Sequence, residues 1–243
     1  MKQRSKFSLK AKILSLIVAV GLIFGGLVYN PFLEKDNTPK SVEASASDYG
    51  LASNIQDGVI LHCFDWKYND IKAELASIAA AGFTSVQTSP AQVGANSGAW
   101  YWLYQPRGFY VGTNDLGTKD ELKSLCTEAE KYGIKVIVDV VANHLAGDHS
   151  NIQSDLKAGQ YWHTYGKVYN WADRYHVTYG EIGMPDLASE NEYVQQVVAN
   201  YVNELKNIGV DGIRWDAAKH IQLPSEGSSF WSTVTAQGLY HYG

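Results

Sequence analysis

Three segments of this chain share one local pattern, which constrains the fold more than any other feature. Each is an apolar stretch with helical spacing, then a glycine, then a run that resembles a buried strand; the glycines are Gly82, Gly133 and Gly209. A glycine just past a helix adopts the left-handed conformation that ends it, and a strand follows within a residue or two. Helices that alternate with strands in this way predict βαβ units and a parallel sheet.

The predicted elements extend over the whole body of the chain. Residues 58–64 predict the first strand, and we count four strands and three complete helices, with a fourth helix beginning near Phe230. The connections after the strands are long, at 90–118 and 142–189, whereas those before them are one or two residues. In parallel α/β proteins the loops at the carboxyl ends of the strands build the site, so the site is predicted there.

Two helix starts carry the spacing of a capping box. Thr118 with Glu121, and Ser189 with Glu192, place a hydroxyl three residues before a glutamate. In this arrangement the hydroxyl and the carboxylate each accept a backbone N–H that the helix leaves unpaired. Helices are therefore predicted to begin after Thr118 and after Ser189.

The amino-terminal region differs from the rest in composition. Five positive charges precede Ile13, and an apolar run continues to about Val28, the layout of a secretory signal. The nearest A-x-A cleavage motif, residues 44–46, lies farther from that run than is usual, so an uncleaved membrane anchor remains the alternative. We expect a signal and short linker over 1–46, one domain over 47–243, and a secreted or surface-anchored protein.

The charge of the chain restricts its partners. The formal net charge is −5, and no basic cluster occurs in the body of the chain, which argues against a nucleic-acid partner. Residues 1–46 hold seven positive and three negative charges, so their removal changes −5 to −9. An acidic body favours a neutral or cationic ligand.

The two cysteines, Cys63 and Cys126, lie in apolar surroundings and have no metal-ligand spacing. They are predicted to be small buried thiols, with a disulfide as the alternative that export permits.

Charged residues follow an apolar stretch at 212–220, GIRWDAAKH. Side chains alternate along a strand, so Arg214 and Asp216 share one face, about 7 Å apart at the backbone. An arginine at this distance lowers the pKa of the aspartate and keeps it ionised, which suits a nucleophile. The alternative is a structural ion pair.

The preceding strand also ends in polar residues, at 139–144, DVVANH. Taken singly, Asp139 could be an internal acceptor that anchors a loop, Asn143 a turn former and His144 a loop histidine. Two neighbouring strands that both end in polar clusters predict a shared pocket.

From these two segments the chain is identified as a member of the α-amylase family of glycoside hydrolases. DVVANH and GIRWDAAKH resemble two signature blocks of that family, and GFTSVQTSP and YWLYQP resemble its second strand and following loop. The resemblance covers residues 50–243 in the family's order. It implies a TIM (β/α)₈ barrel, of which this chain encodes the first four β/α units, an N-terminal half-barrel.

The resemblance also implies roles for individual residues. Asp216 corresponds to the nucleophile that forms a glycosyl-enzyme intermediate, and Arg214 to the arginine that holds it ionised. The other predicted glucan contacts are Tyr101, Tyr104, Gln105, His144, Lys219 and His220. Aromatic rings stack on the apolar faces of sugars, but the WYWLYQP cluster taken alone could equally be core packing.

A structural calcium ion is a further implication of the resemblance. Its expected ligands are the side chains of Asn143 and Asp186 and the backbone carbonyls of Thr178 and His220. All four are the hard oxygen donors that calcium prefers. The ion would hold the long 142–189 connection beside the site.

The chain departs from the family pattern in one respect. Retaining hydrolysis needs a second carboxyl about 5 to 5.5 Å from the nucleophile, and the family supplies it at the end of the fifth strand. The sequence ends in GLYHYG, one residue before the expected glutamate. Glu181 and Glu226 could in principle replace it, but both are expected to be solvated. We therefore expect the chain as written to be inactive and poorly stable alone, with two open sheet edges.

The leading hypothesis is a retaining α-amylase that cleaves internal α-1,4-glucosidic bonds of starch-like glucans and is a monomer when complete. One alternative is another α-glucan-active enzyme of the family, pullulanase-like or transglycosylating. Another is a non-catalytic glucan-binding surface protein.

Overall fold

The computed structural model describes residues 49–243, and its main element is a parallel sheet of five strands. Over these residues there are seven strands in all, in chain order β1 Ile60–Cys63, β2 Ser85–Thr88, β3 Gln92–Gly94, β4 Pro106–Val111, β5 Lys135–Val141, β6 Gly212–Asp216 and β7 Tyr240–Tyr242. The order in the parallel sheet is β1-β2-β5-β6-β7, and β3 and β4 form a separate antiparallel pair. The predicted parallel α/β sheet is therefore present.

Helices connect the strands of the parallel sheet. They are α1 Tyr68–Ala80, α2 Lys119–Lys131, α3 Arg174–Tyr179, α4 Glu192–Ile208 and α5 Phe230–Val234. The helices α1, α2 and α4 precede β2, β5 and β6, as the repeated pattern predicted, and α5 begins at the expected residue. The six-residue helix α3 was not predicted, because its sequence RYHVTY has no apolar stripe to indicate it.

The structure has one more sheet strand than the pattern indicated. The pattern predicts four strands. The structure has a fifth, β7, in which the segment YHY pairs in parallel with β6. A fifth strand was not predicted, because three residues are too few for alternation to show. Within the described residues β1 and β7 are the edge strands, as expected for an open sheet.

One of the two predicted helix caps is confirmed and the other is wrong. The Thr118 hydroxyl accepts from the Glu121 amide at 3.2 Å, and the Glu121 carboxylate accepts from the Thr118 amide at 2.7 Å. Ser189 does not cap α4, because the helix begins at Glu192 and not at Glu190, the residue after Ser189. Asn191 takes that place, and its side chain accepts from the amides of Tyr193 and Val194.

The core lies between the sheet and its connecting helices. Six of the seven residues of β5 are buried, which is typical of a central strand covered on both faces. Cys63 and Cys126 are both buried and free, and burial raises the pKa of each thiol to about 12. The cysteines are therefore inert core residues in this structure, as predicted.

Signal, cleavage motif and possible anchor all lie outside the described residues, so those expectations remain predictions. Residues 49–243 belong to one compact unit. Over this part of the chain, no helix combines the length and apolar character needed to cross a membrane.

The glycines that end the helices give a stability prediction. Gly209 has φ +110°, and a Cβ added there would meet the Cβ of Cys126 at 3.1 Å. Gly209→Ala is expected to lower the free energy of unfolding by about 1 to 2 kcal/mol, measured by urea denaturation. Gly147→Ala is the matched control, because its added Cβ meets nothing within 4 Å. Equal effects of the two variants would contradict the prediction.

Candidate active site

Arg214 joins carboxylates at the ends of two neighbouring strands. The register of β5 and β6 pairs Asp139 with Arg214. The guanidinium donates through Nη1 to Asp216 Oδ1 at 2.8 Å and to Asp139 Oδ2 at 3.2 Å. Burial alone would lower the pKa of Arg214, but the two carboxylates outweigh it and raise that pKa. The contact between Arg214 and Asp216 is the one that strand alternation predicted.

Asp139 is the buried centre of this network. Its side chain has no exposed surface. One oxygen accepts from Gln87 Nε2 at 2.8 Å, and the other accepts from the Tyr104 hydroxyl at 2.8 Å. Burial raises the pKa of Asp139, and Arg214 and Tyr104 oppose that rise. Asp139 therefore acts as an internal acceptor, one of the two interpretations that the sequence allowed.

A cleft of about 580 Å³ opens beside these strand ends. Its lining residues are His62, Phe64, Gln87, Trp100, Tyr104, Arg214 and Asp216. The Asp216 side chain is 23% exposed, so its carboxylate is accessible from the cleft while it remains paired with Arg214. A space of this size is typical of small-ligand sites.

Aromatic side chains form one wall of the cleft. Phe64 stacks on Tyr104 with ring centroids 6.2 Å apart and 21° between the planes, and Trp100 meets Tyr104 edge-on. Phe64 and Trp100 are 40% and 51% exposed, so they offer ring faces to a ligand. The WYWLYQP cluster is therefore at least partly a surface feature and not only core packing.

Four lining residues were missed by sequence reasoning: His62, Phe64, Gln87 and Trp100. The first three lie on or directly after β1 and β2. The signal was present, since these are polar or aromatic residues near the ends of predicted strands. The same rule that selected the ends of β5 and β6 would have found them.

Three predicted glucan contacts lie around the cleft without lining it. Tyr101 is 43% exposed and packs on Trp102 and Trp100, and Gln105 follows Tyr104 directly in the chain. His144 is buried, and its Nε2 lies 3.0 Å from the backbone carbonyl of Tyr104.

Lys219 and His220 line a second cavity, which shares Asp216 with the cleft. The Lys219 ammonium lies 5.2 Å from the centre of the Trp171 ring, a cation–π contact. His220 Nδ1 lies 2.8 Å from the carbonyl of Val177, and burial lowers the pKa of that imidazole. Lys219 and His220 thus share a cavity with Asp216 but do not line the cleft, and their role as glucan contacts stays a prediction.

Backbone strain marks two strand ends. Asp65 and Ala217 are the non-glycine residues with positive φ in the described range, at 58° and 54°. Ala217 directly follows Asp216, and Asp65 follows β1. Such conformations cost free energy and concentrate at functional sites, so they support the placement of the site at this end of the sheet.

The two side-chain ligands of the expected calcium site, Asn143 and Asp186, lie on segments that contact each other. The amide of Leu187 donates to the carbonyl of Asn143 at 2.9 Å, which places Asp186 beside the DVVANH segment. Asp186 is 1% exposed; one oxygen lies 2.6 Å from His163 Nδ1, and within the described residues the other has no hydrogen-bond partner. Burial raises the pKa of Asp186 to about 6, against the lowering effects of His163 and Asn143. A buried carboxylate oxygen without a partner fits a cation.

The two backbone ligands lie on neighbouring elements. Thr178 is in the last turn of α3, and the helix ends before any residue could donate to the Thr178 carbonyl. His220 contacts the carbonyl of Val177, the residue before Thr178. Over residues 49–243 no group of three His, Cys, Asp or Glu residues could hold a metal ion. The expected set uses only one side chain of those types, Asp186, so the donors present are compatible with calcium.

The two glutamates weighed as substitutes for the acid are not at Asp216. Neither Glu181 nor Glu226 lines the cleft or the second cavity. The Glu226 carboxylate is held by Arg174 at 2.7 Å, and the backbone of Glu181 bridges to Lys167. Glu226 is thus an ion-paired residue at the surface, and not simply the solvated one that was expected.

Fold and site together define a class of protein: a parallel α/β sheet of the partial-barrel type, with a carboxylate, an arginine and an aromatic wall at the carboxyl ends of its strands. Comparison with known proteins agrees with this class. The family model for the alpha-amylase catalytic domain matches residues 68–166. The chain is 39% identical to an alpha-amylase of Clostridium acetobutylicum over its whole length and covers 34% of that relative. An alpha-amylase of Butyrivibrio fibrisolvens is 37% identical over 76% of this chain and is covered to 21%.

Solved structures share the fold. An alpha-amylase of Geobacillus thermoleovorans, in complex with acarbose, aligns with a TM-score of 0.65 at 24% identity, covering 76% of this chain and 46% of that one. The family model and these relatives match the chain as a partial member of the alpha-amylase family. It spans about a third or less of the length of the two curated relatives named above.

Proposed function

We propose that this protein is a retaining α-amylase that hydrolyses internal α-1,4-glucosidic bonds of starch, glycogen and related glucans. The observation that carries the proposal is the accessible Asp216 carboxylate, paired with Arg214 and facing an aromatic wall. A binding surface for sugars gains nothing from a half-buried arginine paired with that carboxylate, whereas a nucleophile does.

In the proposed mechanism Asp216 attacks the anomeric carbon and forms a glycosyl-enzyme intermediate, which water then hydrolyses with net retention. Arg214 keeps the carboxylate oriented through its 2.8 Å contact with Oδ1. Tyr104 and Phe64 stack on the apolar face of the reacting sugar, and Tyr101, Gln105 and His144 surround that subsite. Lys219 and His220 extend the glucan contacts beyond it.

A second carboxyl must protonate the leaving oxygen. Within the described residues the cleft lining contains no carboxyl other than Asp216, and Asp139 is buried and already bonded. We propose that these residues carry the nucleophile part of the site, with the first four β/α units of a (β/α)₈ barrel. The general acid would then be supplied by residues outside the described part of the chain, which could not complete hydrolysis alone.

Two measurements test this proposal. The first is to read the coding DNA past Gly243, where a glutamate codon and an open frame are expected; a stop codon would make hydrolysis by this polypeptide untenable. The second is to follow maltopentaose cleavage by proton NMR, using a form of the protein that degrades starch. The α-anomer should appear first, whereas β-anomer would contradict a retaining mechanism. Products longer than the substrate would instead favour a transglycosylating relative.

Calcium is the proposed structural ion, held by the side chains of Asn143 and Asp186 and the carbonyls of Thr178 and His220. When bound, it supplies a charge that ties these oxygen donors together and takes no part in proton transfer. The partner-free buried oxygen of Asp186 supports this assignment.

Chelation gives the corresponding prediction. Treatment with EDTA is expected to lower the melting temperature by about 5 to 10 °C, because a bound ion at a hundred times its Kd stabilises by about 2.7 kcal/mol. Calcium should restore the melting temperature and magnesium should not, since magnesium demands a smaller octahedral site. Asp186→Asn should melt at the same temperature with and without EDTA. A full chelator effect in that variant would refute the assigned site.

We also propose that the protein is exported, on the basis of the charged and apolar pattern of residues 1–28. Retention by an uncleaved apolar segment is the alternative, and amino-terminal sequencing of the mature protein would decide between them. The complete enzyme is proposed to be a monomer.

A further inference from the structure

Arg174 joins the connection that follows β5 to the connection that follows β6. It is the first residue of α3, in the connection that follows β5. Its guanidinium donates through Nη1 to the carbonyl of Lys219 and through Nη2 to the carbonyl of Ile221, the latter at 2.6 Å. These carbonyls lie on either side of His220, so one side chain holds the backbone before and after that residue.

Glu226 fixes the orientation of that guanidinium. Its Oε1 accepts from Arg174 Nε at 2.7 Å and its Oε2 from Nη2 at 3.0 Å, a two-point contact. The same Oε2 accepts from the Leu223 amide at 2.6 Å. An arginine held in this way presents its remaining N–H groups in a fixed direction, which a lysine does not reproduce.

Stability alone does not account for this arrangement. The side chains of Arg174 and Glu226 are 36% and 29% exposed, and ion pairs so exposed contribute little to folding. The contacts instead converge on the one short turn, Ala218–His220, that carries Lys219 and His220. A second contact, from His220 Nδ1 to the carbonyl of Val177, joins the same turn to the same helix.

We propose that Arg174 and Glu226 form a clamp that positions the turn Ala218–His220, together with Ile221 directly after it, for ligand binding. The clamp connects the helix that carries Thr178 to the turn that carries His220, the two elements that supply the backbone calcium ligands. It also sets the backbone from which Lys219 reaches the glucan. Both residues are positioning residues, and this inference rests on the proposed function for the identity of the ligands.

The test compares Arg174→Lys and Glu226→Gln with the wild type, in a form of the protein that degrades starch. Hydrogen exchange of the amides of residues 218–226 reports the order of the turn without any ligand. Titration calorimetry with calcium chloride, and then with maltoheptaose, reports binding. Glu128→Gln is the matched control, because Glu128 is 32% exposed and pairs with Lys131 at 2.9 Å on α2, away from the site.

In Arg174→Lys the 218–226 amides are expected to exchange faster, and calcium affinity to fall about 10-fold or more, as for other residues that orient metal ligands. Glu226→Gln should show a smaller loss, since Arg174 keeps its carbonyl contacts, and Glu128→Gln should show none. Maltoheptaose affinity should fall in the same order.

The outcomes separate this inference from the proposed function. Unchanged exchange in both variants would overturn the clamp, and so would faster exchange with undiminished affinity for both ligands. If the wild type binds neither ligand and exchange is still faster in the variants, the clamp orders the turn without a ligand. That result would refute the proposed function instead.

Discussion

Replacing Asp216 with asparagine is expected to abolish glucan hydrolysis while glucan binding is retained. Asparagine keeps the shape of the side chain and its contact with Arg214, but its amide cannot attack an anomeric carbon. We expect kcat to fall on the order of 10⁴-fold or more, as for the removal of other covalent nucleophiles. The measurement is reducing-sugar release from soluble starch, in a form of the protein that degrades it.

Binding and turnover must be measured on the same variant to make this test sharp. Maltoheptaose affinity of Asp216→Asn should stay close to that of the wild type, since Tyr104 and Phe64 are unchanged. Asp57→Asn is the control, because Asp57 is an exposed aspartate whose carboxylate contacts Asn54. Residual turnover of a tenth or more in Asp216→Asn would rule out Asp216 as the nucleophile.

The second large effect concerns stability. Arg214→Leu is expected to lower the free energy of unfolding by about 3 to 5 kcal/mol, because it leaves the fully buried Asp139 carboxylate without its cation. The comparison is Lys135→Leu, which breaks the exposed pair with Asp211 and should cost less than about 1 kcal/mol. Urea denaturation of both variants measures the difference.

The Arg214 effect should depend on pH. Burial already raises the pKa of Asp139, and removing Arg214 raises it further, so the variant binds a proton to Asp139 more readily than the wild type does. A raised folded-state pKa of an acid means that stability is lost as pH rises through it. The difference in free energy of unfolding between wild type and Arg214→Leu should therefore become smaller as the pH falls from neutral. Asp139→Asn in the Arg214→Leu background should recover part of the loss at neutral pH, and a gap independent of pH would contradict this account.

Several features needed no tertiary information. The glycine-terminated helices, the strands that follow them and the Thr118 cap depend on residues within a few positions of one another. Where local reasoning failed, a competing local residue decided the outcome: Asn191 lies nearer the start of α4 than Ser189 and caps it instead. The hairpin of β3 and β4 lies within the predicted connection 90–118, and its pairing joins segments that no short pattern connects.

The sequence by itself determined the parallel α/β class, the end of the sheet that holds the site, and the pairing of Arg214 with Asp216. That pair lies two residues apart on one strand, so alternation alone brings the side chains together. Only the tertiary structure decided the rest of the site. Asp139 meets Arg214 across 75 residues and Tyr104 across 35, and Arg174 meets Glu226 across 52. Such contacts depend on strand register and on how long connections fold back, because a side chain a few ångströms out of place forms no hydrogen bond.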